Sequence, residues 1–334
     1  MPPALQTKAT IKKLIVPSLI PNIADFSGHY FPESHFSHII TTNTDVYGIL
    51  SPPVIGGYGG AQSPPVGEPI LLLKFRKGVI PQSVCCAAYY ALYKHAQRKN
   101  YNRGAASGLL TKRKLPAFAQ KLQNVPQKYR AYYKNSKGIL KKTHISNIAQ
   151  SNIAGYYDRP SRYQVKKDGR APPIKCRITE FTAKNPEKWA ATLPLLRCAS
   201  NQFKKLVPQA YKRQMQRATQ TAAFQIPETA FSTITVNYDW QTACHTDKGD
   251  FMDGYGNLIV LEKQYCCNTK SNCTESNGYK GGYIGFPQWG IAVDVRQGDF
   301  LAMDVHQWHC NTEIIGSGRL SIVCYLRNDM IKCM

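Results

Sequence analysis

GGYIGFPQWGIAVDVRQGDFLAMDVHQWHCNTEIIGSGRLSIVCYL, residues 281–326, contains four short apolar stretches: GGYIGF, IAVDV, DFLAMD and RLSIVCYL. Turns carrying Gly, Asn or Asp separate most of them, which is the texture of short strands in a sandwich or barrel. Two more stretches of the same kind lie just upstream, FSTITVNY at 231–238 and LIVLE at 258–262. Residues 226–334 are therefore expected to form a jelly-roll, cupin-like core of the double-stranded β-helix type. Between LIVLE and GGYIGF lies a polar insertion, QYCCNTKSNCTESNGYKG, with Cys266, Cys267 and Cys273. A structural zinc site would need a second closely spaced cysteine pair, which the insertion lacks.

The same region carries the side chains of a metal site. His245 and Asp247 are two apart in HTD, and residues i and i+2 at a strand end project to one face. Two histidines and one carboxylate, with positions left open, is the ligand set of non-haem Fe(II) oxygenases. His306 and His309 compete for the third place. His309 stands ten residues before Arg319 and His306 thirteen, and a hairpin return across a jelly roll suits the shorter gap. His309 is expected as the ligand, and His306 as a group behind it or on the substrate side. Arg319 and Ser321 share a strand face, where a guanidinium fork and a hydroxyl could take a carboxylate. A buried arginine wants such a counter-charge, and a dicarboxylate co-substrate such as 2-oxoglutarate would supply it.

Upstream, charge is the informative quantity. The 334 residues carry 43 Lys and Arg against 20 Asp and Glu, a formal charge of +23. Residues 69–157 hold 17 of those cations and no carboxylate. Such a run favours phosphate-backbone contact, so nucleic acid is the expected partner. No apolar run approaches the roughly 18 residues of a membrane span, and the N-terminus lacks a secretory apolar segment. Eleven cysteines without framework spacing read as reduced thiols of an intracellular protein, nuclear if the host is eukaryotic. Residues 1–70, with SPPVIGGYGGAQSPPVGEP at 51–69, read as a Pro/Gly-rich arm. Residues 71–225 read as a basic, mainly helical support, so the fold class expected is α+β with that region packed on the β core. Within it a helix starts at Pro81, and NRGAASG (102–108) is a small-residue loop with Arg103 as a substrate-side candidate. KRK at 112–114 and Tyr129, Tyr132 and Tyr133 lie among basic helical pieces, IAGYYDRPSRY reads as a strand or turn ended by Pro160, KKDGRAPP as an exposed basic turn, and CRITEFTA (176–183) as a strand. Asn185 caps a helical run to about Phe224 that Pro194 and Pro208 break.

Taken in order, HTD, GGYIGFPQWGIAVDVRQGDFLAMD, WHCNT and RLSIVCY resemble the 2-oxoglutarate/Fe(II) dioxygenases of the TET/JBP family, and within it the thymidine hydroxylase domain of the kinetoplastid J-binding proteins. The resemblance implies Fe(II) on His245, Asp247 and His309, the co-substrate carboxylate on Arg319 and Ser321, and O2 as oxidant. It further implies oxidation of the 5-methyl group of a base in DNA, thymine to 5-hydroxymethyluracil, with the base flipped out of the duplex. Tyr325 matches a position near the target base, and Asp250 falls where the TET branch has an Asn that contacts 5-methylcytosine. A carboxylate there would accept the N3–H of thymine, which cytosine lacks. A glycosyltransferase acting on the hydroxylated base would follow. The rival readings are a 5-methylcytosine dioxygenase acting on DNA or RNA, and a DNA-binding module without turnover.

Overall fold

The computed structural model describes residues 10–50, 67–120, 131–134, 140–143, 146–158, 176–266 and 278–333. Its centre is a mixed sheet of nine strands in the order Lys12–Pro17, Thr44–Ile49, Pro69–Arg76, Phe300–Met303, Gly256–Glu262, Arg319–Tyr325, Thr233–Tyr238, Ser151–Tyr157 and Arg177–Ile178. A smaller sheet runs Cys310–Asn311, Ile284–Phe286, Ile291–Val293, His38–Ile40. This two-sheet arrangement is the double-stranded β-helix, with helices added outside the large sheet.

Strand Gly256–Glu262 is buried at every position, as expected of a strand covered on both faces. Leu258 and Val260 point between the sheets, where they join Leu72, Leu301, Phe286 and Trp289 in one cluster. Ile259 and Leu261 point the other way, into a cluster with Leu92, Leu196 and Phe203 of the helices. On the neighbouring strand, Leu320, Ile322 and Cys324 share that helix-facing cluster. The period of two then commits Arg319, Ser321, Val323 and Tyr325 to the interior between the sheets.

Helices Gln82–Ala96 and Pro186–Leu206 cover the outer face of the large sheet. Pro208 opens a separate helix, Pro208–Gln220, whereas Pro194 lies inside Pro186–Leu206 without ending it. That corrects the expected break. Burial of Trp189, Leu195, Leu196, Ala199 and Phe203 along one face outweighs the roughly 3 kcal/mol that an interior proline costs. Nor does Asn185 cap that helix through its side chain; its amide donates to the Phe181 carbonyl at 3.1 Å, tying the helix to the preceding turn.

Further expectations need correction. Loop chemistry expected before residue 70 gives way to three strands between residues 12 and 49 that complete both sheets. CRITEFTA is strand only at Arg177–Ile178; Thr179 then starts a short helix, Glu180–Lys184, and buries Phe181 and Thr182. Ala131–Lys134 and Leu140–Thr143 pair as antiparallel strands, so Tyr132 and Tyr133 sit on a strand rather than a helix. Cys176 and Cys333 form a disulfide with Cα atoms 5.6 Å apart, so not every thiol is free. Cys267, Cys273, Tyr129, Pro160 and the KKDGRAPP turn lie outside the described residues. No helix among the described residues is long and apolar enough to cross a membrane.

Candidate metal centre and co-substrate cavity

His245 and His309 face each other across an isolated antiparallel bridge, exchanging both backbone hydrogen bonds at 3.0 Å. Their ring centroids are 4.4 Å apart. Asp247, anchored through its N–H to the Val305 carbonyl at 3.0 Å, brings Oδ1 within 3.8 Å of His245 Nε2 and Oδ2 within 3.8 Å of His309 Nε2. One ligand atom from each residue lies within 4.8 Å of the others. Both imidazoles are turned for metal binding. His245 Nδ1 contacts the Ala243 carbonyl at 2.7 Å and His309 Nδ1 the Gln307 carbonyl at 2.9 Å. The protons belong on those nitrogens, because a carbonyl only accepts, and each Nε2 keeps its lone pair. Burial first, and the neighbouring His309 second, push the His245 pKa down to about 4, so its ring is neutral near pH 7.

These residues border a cavity of about 250 Å³. Across three adjacent strands a polar row crosses its wall. Ser151 pairs with Asn237 and Asn237 with Ser321 in register. Ser151 Oγ donates to Asn237 Oδ1 at 2.5 Å, and Asn237 Nδ2 donates to Ser321 Oγ at 3.2 Å. Arg319 lies on the same face two residues before Ser321, with 1% of its surface exposed. Its Nε and Nη2 have no hydrogen-bond partner among the described residues. Glu262 is its cross-strand neighbour, yet that carboxylate is engaged by the Gln297 N–H at 3.0 Å and by Gln264 Nε2 at 2.8 Å. Gly282 (φ +68°) passes so close that a Cβ there would stand 3.1 Å from the Arg319 side chain. Arg319 itself is not among the residues that line the cavity, whereas Ser321 is. An unpaired guanidinium edge and a hydroxyl two residues apart on one strand face fit a carboxylate, and the triad fits a divalent ion.

The remaining candidates divide. Asp250, Tyr325 and Arg103 line the cavity with the triad, as does Ser321. Tyr325 is buried, with its hydroxyl 3.0 Å from Thr235 Oγ1. Arg103 is partly buried, donates through Nε to the Ser151 carbonyl at 3.1 Å, and has its pKa lowered by burial. Burial, and next the charge of Asp247, raise the pKa of Asp250 well above the usual carboxylate range, against the pull of Arg327. His306 is not among the lining residues; its ring meets Asp304 at 3.0 Å.

Sequence reasoning overlooked Asn237, Asp158 and Arg327. Asn237 carried a signal, being a polar residue at an inward position of FSTITVNY in step with Thr235. Asp158 and Arg327 carried none, as single charges 169 residues apart. Arg327 donates to Asp158 Oδ2 through Nε at 3.2 Å and Nη2 at 3.1 Å, and reaches Asp250 Oδ1 through Nη1 at 3.5 Å. A Cβ at Gly249 would run into that guanidinium.

Residues 160–328 match the family model Tet_JBP, described as the oxygenase domain of the 2OGFeDO superfamily. Thymine dioxygenase JBP1 of Trypanosoma brucei brucei is 33% identical over 183 residues, covering 53% of this chain and 19% of that protein. The bifunctional helicase and thymine dioxygenase JBP2 of Leishmania tarentolae is 32% identical over 189 residues, 54% of this chain and 15% of that protein. The matched part is thus under a fifth of the length of these curated relatives. Among solved structures, NgTET1 in complex with 5mC DNA aligns with a TM-score of 0.47 at 9% identity, over 98% of this chain and 85% of that one.

Proposed function

This chain belongs to the Tet_JBP family, the oxygenase domain of the 2OGFeDO superfamily, and from that premise we propose that it hydroxylates the 5-methyl group of thymine in DNA, giving 5-hydroxymethyluracil. The single observation that carries the reading is the convergence of His245, Asp247 and His309 on the wall of a cavity that also presents Ser321. The relatives named thymine dioxygenases support the choice of base. When bound, Fe(II) with 2-oxoglutarate and O2 would supply the power to oxidise an unactivated methyl group, with succinate and carbon dioxide as by-products.

The protein's own residues do the positioning. His245, Asp247 and His309 would hold the ion, three side chains being few enough to leave room for co-substrate and oxygen. Arg319 and Ser321 would hold the distal carboxylate, and Asn237 fixes the Ser321 hydroxyl by donating to it. The target base would enter between Tyr325, Asp250 and Arg103 after leaving the duplex, at a cost of a few kcal/mol. As a carboxylate paired with Arg327, Asp250 would accept the N3–H of thymine. The exposed cations Lys94, Arg98, Lys99, Lys112, Arg113 and Lys114 are available to DNA phosphates. Lys74 and Arg76 are instead paired with Asp45, and Lys77 with Asp299. An intracellular site of action, nuclear in a eukaryote, and a downstream glycosyltransferase that takes up the new hydroxyl belong to the same proposal.

One observation favours 5-methylcytosine as the base instead. Burial raises the Asp250 pKa, and a protonated carboxyl would donate to the cytosine N3 rather than accept from thymine. Nucleoside mass spectrometry after incubation with thymine-only and methylcytosine-bearing duplexes separates the two. Asp250→Asn should lower the ratio of thymine to methylcytosine oxidation; an unchanged ratio removes Asp250 from base selection.

A further inference from the structure

We propose that a second hollow, beside the catalytic cavity, receives the nucleotide adjacent to the one being oxidised on the same DNA strand. The hollow encloses about 300 Å³ between Tyr30, Ser107, Lys114, Ile148, Trp240 and Gln241. Trp240 also lines the catalytic cavity, so the two spaces share a residue. The small-residue loop at 102–108 is shared in the same way. Asn102, Arg103, Ala105 and Ala106 border the catalytic side, and Ser107 borders the second hollow. A base drawn into the cavity pulls its neighbour along by one backbone step, and the second hollow is the space that shares Trp240 with it.

The chemistry of the walls suits a nucleotide. Tyr30 keeps 38% of its surface exposed and Ile148 36%, giving an aromatic and an aliphatic surface next to the Trp240 indole. Lys114 holds its ammonium 5.2 Å from the centre of the Tyr30 ring and ends the exposed KRK run. No carboxylate is among the walls formed by the described residues. Aromatic faces beside a cation bind bases with little regard to sequence, by stacking plus phosphate attraction.

The walls are also held in place. Tyr30 donates its hydroxyl to the Ser107 carbonyl at 3.2 Å. Asn147 Nδ2 donates to the carbonyls of Ser107 at 2.9 Å and Leu109 at 2.7 Å, while Asn147 Oδ1 accepts from the Thr111 N–H at 3.2 Å. The Ile148 N–H donates to the Lys114 carbonyl at 2.8 Å. Gly108 has φ +82°, and a Cβ there would meet the Tyr30 hydroxyl at 2.7 Å. A stacking surface fixed before binding costs less ordering entropy when the base arrives.

This inference rests on the DNA reading above, so its test measures binding and oxidation separately. Fluorescence anisotropy would follow the full chain, without 2-oxoglutarate, on labelled duplexes containing one thymine target. The duplexes carry either an intact neighbouring nucleotide or an abasic one, on the 5′ or the 3′ side. Wild type should bind one abasic-flanked duplex about 5- to 150-fold more weakly, the range for loss of one stacked base. Tyr30→Leu should bind the intact duplex more weakly and no longer sense the missing base, whereas Tyr30→Phe should behave like wild type. Lys114→Gln should weaken binding to both duplexes alike, and melting curves confirm that each variant is folded. The proposal is overturned if wild type is indifferent to both abasic positions, or if folded Tyr30→Leu senses them as wild type does. Mass spectrometry of the same duplexes with Fe(II) and 2-oxoglutarate reads the oxidation reaction independently, so that reading can stand or fall while the binding data decide the hollow.

Discussion

Replacing Arg327 by Met should destabilise the protein far more than loss of a surface cation would. Its side chain is only 12% exposed, and its guanidinium makes two hydrogen bonds to Asp158 and a longer one to Asp250. Asp158 and Asp250 are themselves buried, at 6% and 5% exposure. Removing the cation therefore leaves the Asp158 carboxylate without its partner in a poorly solvated place and takes from Asp250 the pull that opposes its raised pKa. Breaking a buried pair in this way costs about 3–5 kcal/mol, mostly as the penalty on the charges left behind. With an unfolding entropy of about 2.1 cal/mol/K per residue, the melting temperature of a 334-residue chain should fall by roughly 4–7 °C. The double variant Arg327→Met, Asp158→Asn removes the stranded charge and should recover part of the loss. Urea unfolding of wild type, both single variants and the double variant gives the coupling energy directly. If Arg327→Met costs less than about 1 kcal/mol, or if the single effects simply add, the clamp has been misread.

Three further outcomes are expected. Arg319→Met should abolish the rise in melting temperature on adding 2-oxoglutarate to the protein, and raise its KM at least about 100-fold, since two charge-assisted hydrogen bonds contribute roughly 1.5–3 kcal/mol each; steady-state kinetics and thermal shift would show it. His245 has a folded pKa near 4 against about 6.5 unfolded. The unfolded chain thus binds the proton first, so the His245 contribution to stability is full above pH 6.5 and is lost as pH falls toward 4. Metal-free unfolding of wild type and His245→Gln across that window checks it, and the variant should show the shallower slope. Finally, DNA binding should weaken steeply with salt, and Lys112→Gln, Arg113→Gln, Lys114→Gln together should cut the salt slope by up to about 3. Lys74→Gln should leave that slope unchanged, because Lys74 is committed to Asp45 at 3.2 Å.

How much of this was legible depended on the range of the interactions. Strands between 231 and 326 announced themselves because local turns and alternation specify them, and the same alternation put Arg319 and Ser321 on one face. The strands Lys12–Pro17 and Thr44–Ile49 did not, because each is short, set among prolines and glycines, and paired across 20 to 32 residues of chain rather than a tight turn. Pro194 misled because helix propensity is local and the burial that overrides it is not. Ser151–Asn237–Ser321 was half visible, since the register that lines up three strands is a tertiary fact. The Asp158–Arg327 clamp was invisible for the same reason, with no motif joining two isolated charges.

The pairing of His38–Ile40 with Ile291–Val293 has a consequence for biosynthesis. On a ribosome the earlier strand waits while some 250 residues emerge, because its parallel partner is made so late. Until then its unpaired N–H and C=O groups are open to wrong neighbours. His309 adjoins Cys310–Asn311 in that same smaller sheet. The proposed ligand set would therefore come together only after His309 has emerged, and nascent chains interrupted before residue 309 should carry no iron.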